Sequence, residues 1–259
     1  MFIEERHQQI LNHIAEKGSI TTSEIQREFL ISYDSAKRDL RILEEKGLLR
    51  RTHGGAIPLD QVAIGKPKGA TARDITEVRP NYMAIAKRAV DTIQKNDVIF
   101  LTSATVGLFM AQNLPYDYNL RVATNSIVIA EELRKREDVK VILIGGEMDG
   151  RGNCYDGFAV EMLRRLRFDK AFLTSASISA GFGLSIQHSS AIPFWNAVMD
   201  ASRKVFGLYP TEKIGAESVV SICPASRLDV LITDDNASEE KLAEFEEAGI
   251  TVVVCEIEE

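Results

Sequence analysis

Short apolar runs alternate with stretches of helical character from about residue 81 to the end of the chain. Alternation of this kind is typical of βαβ units, in which parallel strands are joined by crossover helices. Near-continuous apolar runs indicate strands buried on both faces. The pattern therefore predicts an α/β domain with a mainly parallel sheet over residues 81–259. The predicted strands are residues 98–101, 120–123, 139–144, 170–173, 230–232 and 251–254.

The chain changes character near residue 57. Residues 1–57 contain short helical segments with tight turns, and we assign them to a small α+β domain. Residues 58–80 contain three prolines and two glycines among scattered charges, a composition that is typical of a linker. The sequence therefore predicts two domains, 1–57 and 81–259, joined by a linker over 58–80.

The charge and the cysteine and histidine patterns of the chain exclude several classes of protein. The 259-residue chain carries 31 basic and 38 acidic side chains, a formal net charge of −7. This balance excludes a globally basic nucleic-acid coat but leaves room for a local basic surface. The cysteines form no CxxC pair and the histidines form no ligand cluster, so we predict neither a metal nor a cofactor. An odd number of cysteines, no signal-peptide pattern and no apolar run near the ~20 residues that span a bilayer favour a cytoplasmic protein without membrane contact.

Three helices are predicted in the N-terminal domain. The first has an apolar face that we expect to be buried. Thr21 and Glu24 fit a capping box at the start of the second. Ser32 can cap the third, which we expect to run to about residue 46. The apolar residues that share one face of the first helix are Ile3, Ile10, Leu11 and Ile14.

The third helix has the pattern expected of a DNA-recognition helix. Ala36, Leu40 and Leu43 form a stripe at helical spacing that should be buried. Basic residues lie on the opposite side, and short polar residues occupy the N-terminal end, which enters the major groove in such helices. A solvated amphipathic helix would show the same pattern, and this helix alone does not decide between the two. Its candidate DNA-contacting residues are Ser32, Tyr33, Asp34, Ser35, Lys37, Arg38 and Arg41.

Residues 48–56 have the pattern of a strand, a glycine turn and a return strand, which would form a wing beside the third helix. Basic side chains on such a wing would face the phosphate backbone, and two glycines would let the main chain approach it closely. A simple hairpin with exposed arginines is the alternative, and the three preceding helices favour the wing. The candidate DNA-contacting residues of the wing are Arg50, Arg51, His53, Gly54 and Gly55.

The stretch ISYDSAKRDLRILEEKGLLRRTHGGA, together with Arg6 in the first helix, resembles the winged helix-turn-helix of the DeoR family of bacterial transcription regulators. Where that family has Arg-Arg-Asp-Leu, this chain has Lys37-Arg38-Asp39-Leu40, which keeps the charge but loses one bidentate guanidinium. The resemblance implies a repressor of a carbohydrate operon that binds double-stranded operator DNA. Residues 33–56 hold six basic and four acidic residues. An excess this modest favours a homodimer or homotetramer on two half-sites.

A weaker resemblance to the same family covers the rest of the chain. It implies an effector-sensing domain similar to ribose-5-phosphate isomerase and CoA-transferase folds, with a phosphorylated sugar or related anion as the effector. In such a sheet a ligand binds at the carboxyl ends of the strands, where helix N-termini favour phosphate. Helix caps and glycine turns that bind nothing are the alternative. The candidate effector-binding residues are Thr102, Ser103, Ala104, Thr105, Thr124, Asn125, Gly145, Gly146, Ser175 and Lys213, with backbone N–H groups from residues 104–107.

Three loops of the expected effector site depart from the family pattern. Asp-Ser-Gly-Thr-Thr is TSATV here at 102–106, the acidic segment is QHSSAIP at 187–193, and Asp-x-Ser-Lys is PTEK at 210–213. Either the effector therefore differs from a typical sugar phosphate, or effector sensing is lost and the domain senses a protein partner or only oligomerises. A sugar-phosphate isomerase-like enzyme is a further alternative, which the same departures weaken. Isomerisation needs a carboxylate base beside the substrate. The positions where it should lie carry Thr102 and Ser190, so we predict no catalytic residues and no enzyme activity.

Overall fold

The computed structural model describes residues 3–17, 19–45, 48–52, 54–57 and 79–257. They fall into two compact units, one within Met1–Ile64 and the other within Gly65–Glu259. Most of the predicted linker, residues 58–78, lies outside the described residues. Its predicted last residue, Pro80, is instead the first residue of a helix, because proline suits the first turn, where no N–H donor is needed.

The N-terminal unit combines helices with a small sheet. Its elements in chain order are α1 (Ile3–Lys17), β1 (Ile20–Thr21), α2 (Thr22–Phe29), α3 (Tyr33–Glu45), β2 (Arg50–Thr52) and β3 (Gly55–Ile57). β3 lies between β1 and β2 and pairs antiparallel with both. This order confirms the predicted winged helix, with α2 and α3 as the helix-turn-helix and β2 and β3 as the wing. The predicted end of the third helix, at residues 46 and 47, lies outside the described residues.

The predicted capping box forms at the start of α2. The Thr21 hydroxyl accepts the Glu24 N–H at 3.1 Å, and the Glu24 carboxylate accepts the Thr21 N–H at 2.7 Å. The bonds that the carboxylate accepts from the Thr21 N–H and hydroxyl favour its ionised form and lower the pKa of Glu24. Leu30 ends the helix in the left-handed conformation, with a φ of 53°. The Ser32 hydroxyl then accepts the Ser35 N–H at 3.2 Å and caps α3, as predicted.

The three helices share one small apolar core. The predicted inner face of α1 is only partly correct, because Leu11 is half-buried and Ile3 is 36% exposed. Ile3 lies about two turns before Ile10, beyond the end of a core this small. The buried members of the core on the three helices are Ile10, Ile14, Ile25, Phe29, Ala36, Leu40 and Leu43.

A buried carboxylate, which the apolar pattern does not reveal, joins α1 to α3. Asp39 is fully buried. Its two carboxylate oxygens accept hydrogen bonds from the Arg6 guanidinium at 2.7 and 3.1 Å, and Oδ1 also lies 3.2 Å from His7 Nε2. Breaking such a buried pair leaves an uncompensated charge. The Arg6–Asp39 pair therefore fixes α3 against α1, at the residue that directly follows Arg38.

The C-terminal unit alternates strands and helices. Its elements in chain order are α4 (Pro80–Val90), β4 (Val98–Leu101), α5 (Thr105–Asn113), β5 (Leu120–Thr124), α6 (Ile127–Leu133), β6 (Val139–Leu143), α7 (Gly157–Arg164), β7 (Phe168–Leu173), β8 (Ser177–Ser179), β9 (Gly183–Ile186), α8 (Ile192–Asp200), β10 (Ser202–Leu208), β11 (Val220–Cys223), β12 (Val230–Asp234), α9 (Glu239–Glu247) and β13 (Thr251–Cys255). Short 3-10 turns lie at Ser189–Ala191, Thr211–Lys213 and Ala225–Arg227.

Seven strands form one parallel sheet in the order β13-β12-β10-β7-β4-β5-β6. This confirms the predicted α/β class, and each of the six predicted strands lies in the sheet. In the register, Phe100 of β4 lies between Ala123 of β5 and Ala171 of β7. The chain builds the sheet from β4 to β6 and then returns to the other side of β4. The direction of winding therefore reverses between β4 and β7.

Apolar clusters cover both faces of this sheet. Phe100 belongs to the cluster that includes residues of α7, α8 and α9. Its neighbours Ile99 and Leu101 belong to the opposite cluster, with residues of α4, α5 and α6. This alternation follows from the pleat of a strand and accounts for the continuous apolar runs in the sequence.

Four strands in the described part of the C-terminal unit were not predicted. β10 was missed because it begins with Ser202, Arg203 and Lys204, so its apolar run is short. β8, β9 and β11 form a separate antiparallel sheet in the order β11-β9-β8. These strands bury Ser177, Ser179 and Ser185, and the spacing of apolar residues does not predict strands that bury serine.

We expect Asp39→Asn to destabilise the N-terminal unit by about 3–5 kcal/mol, because the Arg6 guanidinium loses its buried counter-charge. Asp34→Asn, on the exposed surface of the same helix, is the matched control and should cost less than about 1 kcal/mol. Hydrogen–deuterium exchange of the α1 and α3 amides in the full chain measures both effects. Equal exchange in the two variants would contradict a structural role for Asp39.

Candidate functional site

One side of α3 presents basic side chains to solvent. Lys37, Arg38 and Arg41 are exposed, whereas Ala36 and Leu40 lie in the core. The Lys37 ammonium lies 4.5 Å from the centre of the exposed Tyr33 ring, a cation–π contact near the N-terminal end of the helix. The other polar residues of this end are Ser32 and Asp34, which are exposed, and Ser35, which is half-buried. The structure therefore brings the predicted residues of the third helix onto one accessible surface.

The wing is attached to the last turns of α3. The Arg51 N–H donates to Glu44 Oε1 at 2.9 Å, and the Arg51 guanidinium lies 3.9 Å from Glu44 Oε2. Gly54 is exposed, with a φ of 110° and open space around it. The Arg50 side chain and the whole of His53 lie outside the described residues.

Gly55 corrects one part of the wing prediction. It is buried, and an added Cβ would lie 2.1 Å from the Ile20 carbonyl oxygen. This glycine is required by the close pairing of β3 with β1 and is not on the outer surface of the wing. Of the two predicted glycines, only Gly54 remains accessible.

The reversal of winding between β4 and β7 marks the place where a sheet of this type binds ligands. Thr102 and Ser103 directly follow β4, and Thr174 and Ser175 directly follow β7. The Thr102 N–H donates to the Phe172 carbonyl of β7 at 3.0 Å. The topology therefore brings the candidate residues after β4 and β7 to one edge of the sheet.

Lys213 reaches the same edge from a distant part of the chain. Its ammonium donates to Thr174 Oγ1 at 3.1 Å and to the Ser175 carbonyl at 2.9 Å. The turn that carries it is held by Asp234 at the end of β12. The Asp234 carboxylate accepts the Thr211 N–H at 2.8 Å and the Thr211 hydroxyl at 2.5 Å. A cation is thus held beside the switch point of the sheet.

Tyr155 is a residue of this region that sequence reasoning missed. Its hydroxyl lies 2.6 Å from Ser103 Oγ, and its ring packs against Phe194 and Trp195 of α8, with centroid distances of 5.2 and 5.8 Å. Burial raises the pKa of Tyr155, so the phenol stays protonated. No local motif surrounds this tyrosine in the sequence, and only the fold brings it to the loop after β4.

Two buried polar atoms lie at the end of β5 without a hydrogen-bond partner in the described part of the protein. The Asn125 side chain donates from Nδ2 to the Cys154 carbonyl at 3.0 Å, but its Oδ1 accepts nothing. The Ser126 hydroxyl is likewise unpartnered, and both residues are fully buried. Thr124 is also buried, and its hydroxyl accepts the Ser126 N–H at 3.3 Å. Buried polar groups are normally satisfied, so these two atoms can still accept or donate a hydrogen bond.

Some candidate effector-binding groups are already engaged within the protein. The Ala104 N–H donates to the Thr102 carbonyl at 2.9 Å, which corrects the prediction that it is offered to a ligand. The next N–H groups belong to the first turn of α5, which begins at the buried Thr105. The Ser175 hydroxyl lies 2.8 Å from both the Ser177 carbonyl and the Tyr209 hydroxyl. This bonding gives Ser175 a structural function that needs no ligand.

The candidate glycines after β6 lie at the outer edge of the sheet, two strands from β4. An added Cβ on Gly146 would lie 2.1 Å from Asp156 Oδ1, whereas Gly145 has open space. The Asp156 carboxylate accepts the N–H groups of Glu147 at 2.9 Å and Ala159 at 3.1 Å, which caps α7 and lowers the pKa of Asp156. Gly146 therefore has a packing role, and the described contacts do not bring either glycine to Lys213.

The described part of the chain holds no group of three His, Cys, Asp or Glu side chains that could bind a metal ion. None of its helices combines the length and the apolar character that crossing a membrane requires.

Both units match models of known protein families. Residues 6–62 match the DeoR-like helix-turn-helix domain, and residues 81–235 match the DeoR C-terminal sensor domain. The chain belongs to the DeoR family of transcription regulators. This confirms the resemblance drawn from the recognition helix and the wing, and it extends DeoR membership to the α/β unit, where the motifs were weaker.

The DeoR relatives extend over nearly the whole chain. The HTH-type transcriptional regulator GlpR of Haloferax volcanii is 28% identical over 96% of both chains. The lactose phosphotransferase system repressor of Staphylococcus epidermidis is 30% identical over 92% of this chain and 94% of its own. Among solved structures, ribose 5-phosphate isomerase A of Methanocaldococcus jannaschii covers 53% of each chain with a TM-score of 0.37 and 13% identity.

The cysteines of this DeoR regulator should be unreactive in the folded chain. All three are buried, and burial raises the pKa of Cys223 and Cys255 from 9.0 to about 11. A pKa that is two units higher lowers the thiolate fraction at pH 8 by about a hundredfold. We expect these two thiols to react with DTNB at least about a hundredfold more slowly in the native chain than in denaturant. Rapid reaction of more than one thiol in the native chain would contradict this burial.

Proposed function

We propose that this DeoR regulator represses a carbohydrate catabolic operon through its winged helix, and that a small phosphorylated sugar or related anion resets it. The observation that carries the DNA-binding part is the two-sided character of α3. Its inner side is anchored by Asp39 and an apolar stripe, and its outer side exposes Lys37, Arg38 and Arg41. A helix that lies in the major groove needs both sides. The name of the staphylococcal relative supports a carbohydrate operon.

In this proposal α3 enters the groove with the end that carries Ser32, Tyr33, Asp34 and Ser35. Arg51 and Gly54 of the wing then lie along the sugar–phosphate backbone. Since one module with a modest basic excess binds weakly, we propose a homodimer or homotetramer. Two recognition helices would lie ~34–36 Å apart, or at a multiple of that spacing, on the two half-sites of the operator.

The effector part of the proposal rests on Lys213 beside the carboxyl ends of β4 and β7. An ammonium group and the N-terminal end of α5 together favour an anion such as phosphate. The hydroxyls of Thr102 and Ser103 and the unpartnered Asn125 Oδ1 suit the hydroxyl groups of a sugar.

The hydrogen bonds of the carboxylates near Lys213 favour a site that binds a sugar phosphate without converting it. Asp234 accepts two hydrogen bonds from Thr211, and Glu212 accepts one from Asn81. Both carboxylates are engaged in holding the protein, so neither is set to abstract a proton from a bound sugar. We therefore propose a sensor and not an isomerase. Such an effector acts only through a difference in its affinity for two arrangements of the protein.

Arg38→Ala should weaken binding to an operator, selected from random-sequence DNA, by ~1–3 kcal/mol if Arg38 reads a guanine. Arg134→Ala, at an exposed arginine paired with Glu131 in the C-terminal unit, is the control and should leave binding unchanged. Titrations at several salt concentrations separate two modes. A loss that is equal on all sequences, with a shallower salt slope, would mean a phosphate contact instead. Unchanged affinity would remove Arg38 from the recognition surface.

A thermal-shift screen of the full chain tests the effector class, using phosphorylated sugars, free sugars and inorganic phosphate. A ligand at a hundred times its Kd stabilises the folded chain by ~2.7 kcal/mol, which is a readable rise in Tm. We expect a phosphorylated sugar to give this rise and Lys213→Met to abolish it. Lys204→Met, an exposed lysine on β10, should keep it. No shift across the panel would instead favour a domain that senses a protein or only oligomerises.

A further inference from the structure

The turn Thr211–Lys213 faces two different parts of the C-terminal unit. On one side, Lys213 donates to Thr174 and to the Ser175 carbonyl, at the proposed effector site. On the other side, Glu212 Oε2 accepts the Asn81 side-chain N–H at 3.2 Å, and Glu212 Oε1 lies 3.9 Å from the Arg79 guanidinium. Neighbouring residues of one short turn therefore contact the effector site and the start of α4.

The first residue of the turn is fixed by a buried carboxylate. The Thr211 N–H and hydroxyl are both held by the buried Asp234 carboxylate. Within the turn, the Lys213 N–H donates to the Pro210 carbonyl at 2.8 Å. Because Glu212 and Lys213 are adjacent in this hydrogen-bonded turn, we expect a ligand that draws the Lys213 ammonium from Thr174 to shift Glu212 as well.

The residues that Glu212 contacts begin the C-terminal unit. Arg79 and Asn81 flank Pro80, the first residue of α4, and in the sequence the chain runs back from Arg79 through residues 58–78 to the winged helix. Asn81 Oδ1 also accepts the Tyr82 N–H at 3.0 Å. The Glu212 and Arg79 side chains are each about two-thirds buried, so their interaction is partly shielded from solvent.

We propose that Glu212 is a positioning residue that relays occupancy of the site beside Lys213 to the start of α4, and through the chain to the DNA-binding unit. This inference rests on the proposed function and names its regulation. Glu212 stands where the resembling family motif has serine, whose short side chain cannot span to a guanidinium. The relay is therefore built from side chains of this chain itself: Lys213 faces the ligand, and Glu212 faces Asn81 and Arg79.

The test is a double-variant comparison in the full chain, and it needs no ligand. Lys213→Met perturbs the effector side. We expect it to change hydrogen–deuterium exchange of the amides at 81–84 by about 2- to 30-fold, the range expected for coupling energies of this kind. The same change in a Glu212→Gln background should be lost, because the relay is already broken. Glu217→Gln, which removes a carboxylate bonded to Ser179 elsewhere in the unit, is the matched background and should preserve the response.

Three outcomes would overturn the relay: no response to Lys213→Met in the wild-type background, an equal response in the Glu212→Gln background, or loss of the response in both glutamine backgrounds. A second measurement, release of the selected operator by ribose 5-phosphate, reads the function. Glu212→Gln should keep the affinity for this sugar phosphate but lose most of the release. If ribose 5-phosphate neither binds the wild-type chain nor releases it from the operator, this sugar phosphate is not the effector. The hydrogen–deuterium exchange comparison then still decides the role of Glu212.

Discussion

Parallel pairing of seven strands is the constraint on which the C-terminal unit depends. It places the carboxyl end of every strand at one edge of the sheet, and the reversal between β4 and β7 leaves that edge uncrossed by a connection. Thr102 and Ser175 both lie there although 73 positions separate them in the chain, and Lys213, from beyond β10, donates to the Ser175 carbonyl. The candidate site is therefore a consequence of strand order, since no short segment of the sequence contains it.

In the N-terminal unit the corresponding constraint is ionic. A core of about ten apolar residues gives a unit of this size little margin of stability. The buried Arg6–Asp39 pair adds a directional link between α1 and α3, and an ion pair of this kind favours one arrangement over others more than it adds stability. Arg38 and Asp39 are adjacent in α3, and Arg38 is exposed whereas Asp39 is buried. Asp39, which sets the orientation of the recognition helix, and Arg38, which is expected to read DNA, therefore lie in the same helical turn.

Local signals in the sequence predict the elements well and the contacts between elements poorly. The capping box at Thr21, the stripe of Ala36, Leu40 and Leu43, and the six apolar strands depend on spacing within one segment, and the structure confirms them. No such signal marks Tyr155, because the contact that makes it a candidate is with Ser103, 52 residues earlier in the sequence. The spacing of residue types also does not predict that the Ala104 N–H donates to the Thr102 carbonyl, or that the pairing of β3 with β1 requires glycine at position 55. Both depend on tertiary distances that a pattern of residue types does not encode.

The departures in the effector loops have a physical interpretation once the contacts are known. A carboxylate close to Lys213 would neutralise it and compete with an anionic ligand. The Asp234 and Glu212 carboxylates accept hydrogen bonds from Thr211 and Asn81. The loop after β4 adds the hydroxyls of Thr102 and Ser103, which carry no charge. For the proposed sensor, the positions 102 and 187–193 offer hydroxyl groups and no carboxylate. They therefore supply no base for turnover of a bound anion.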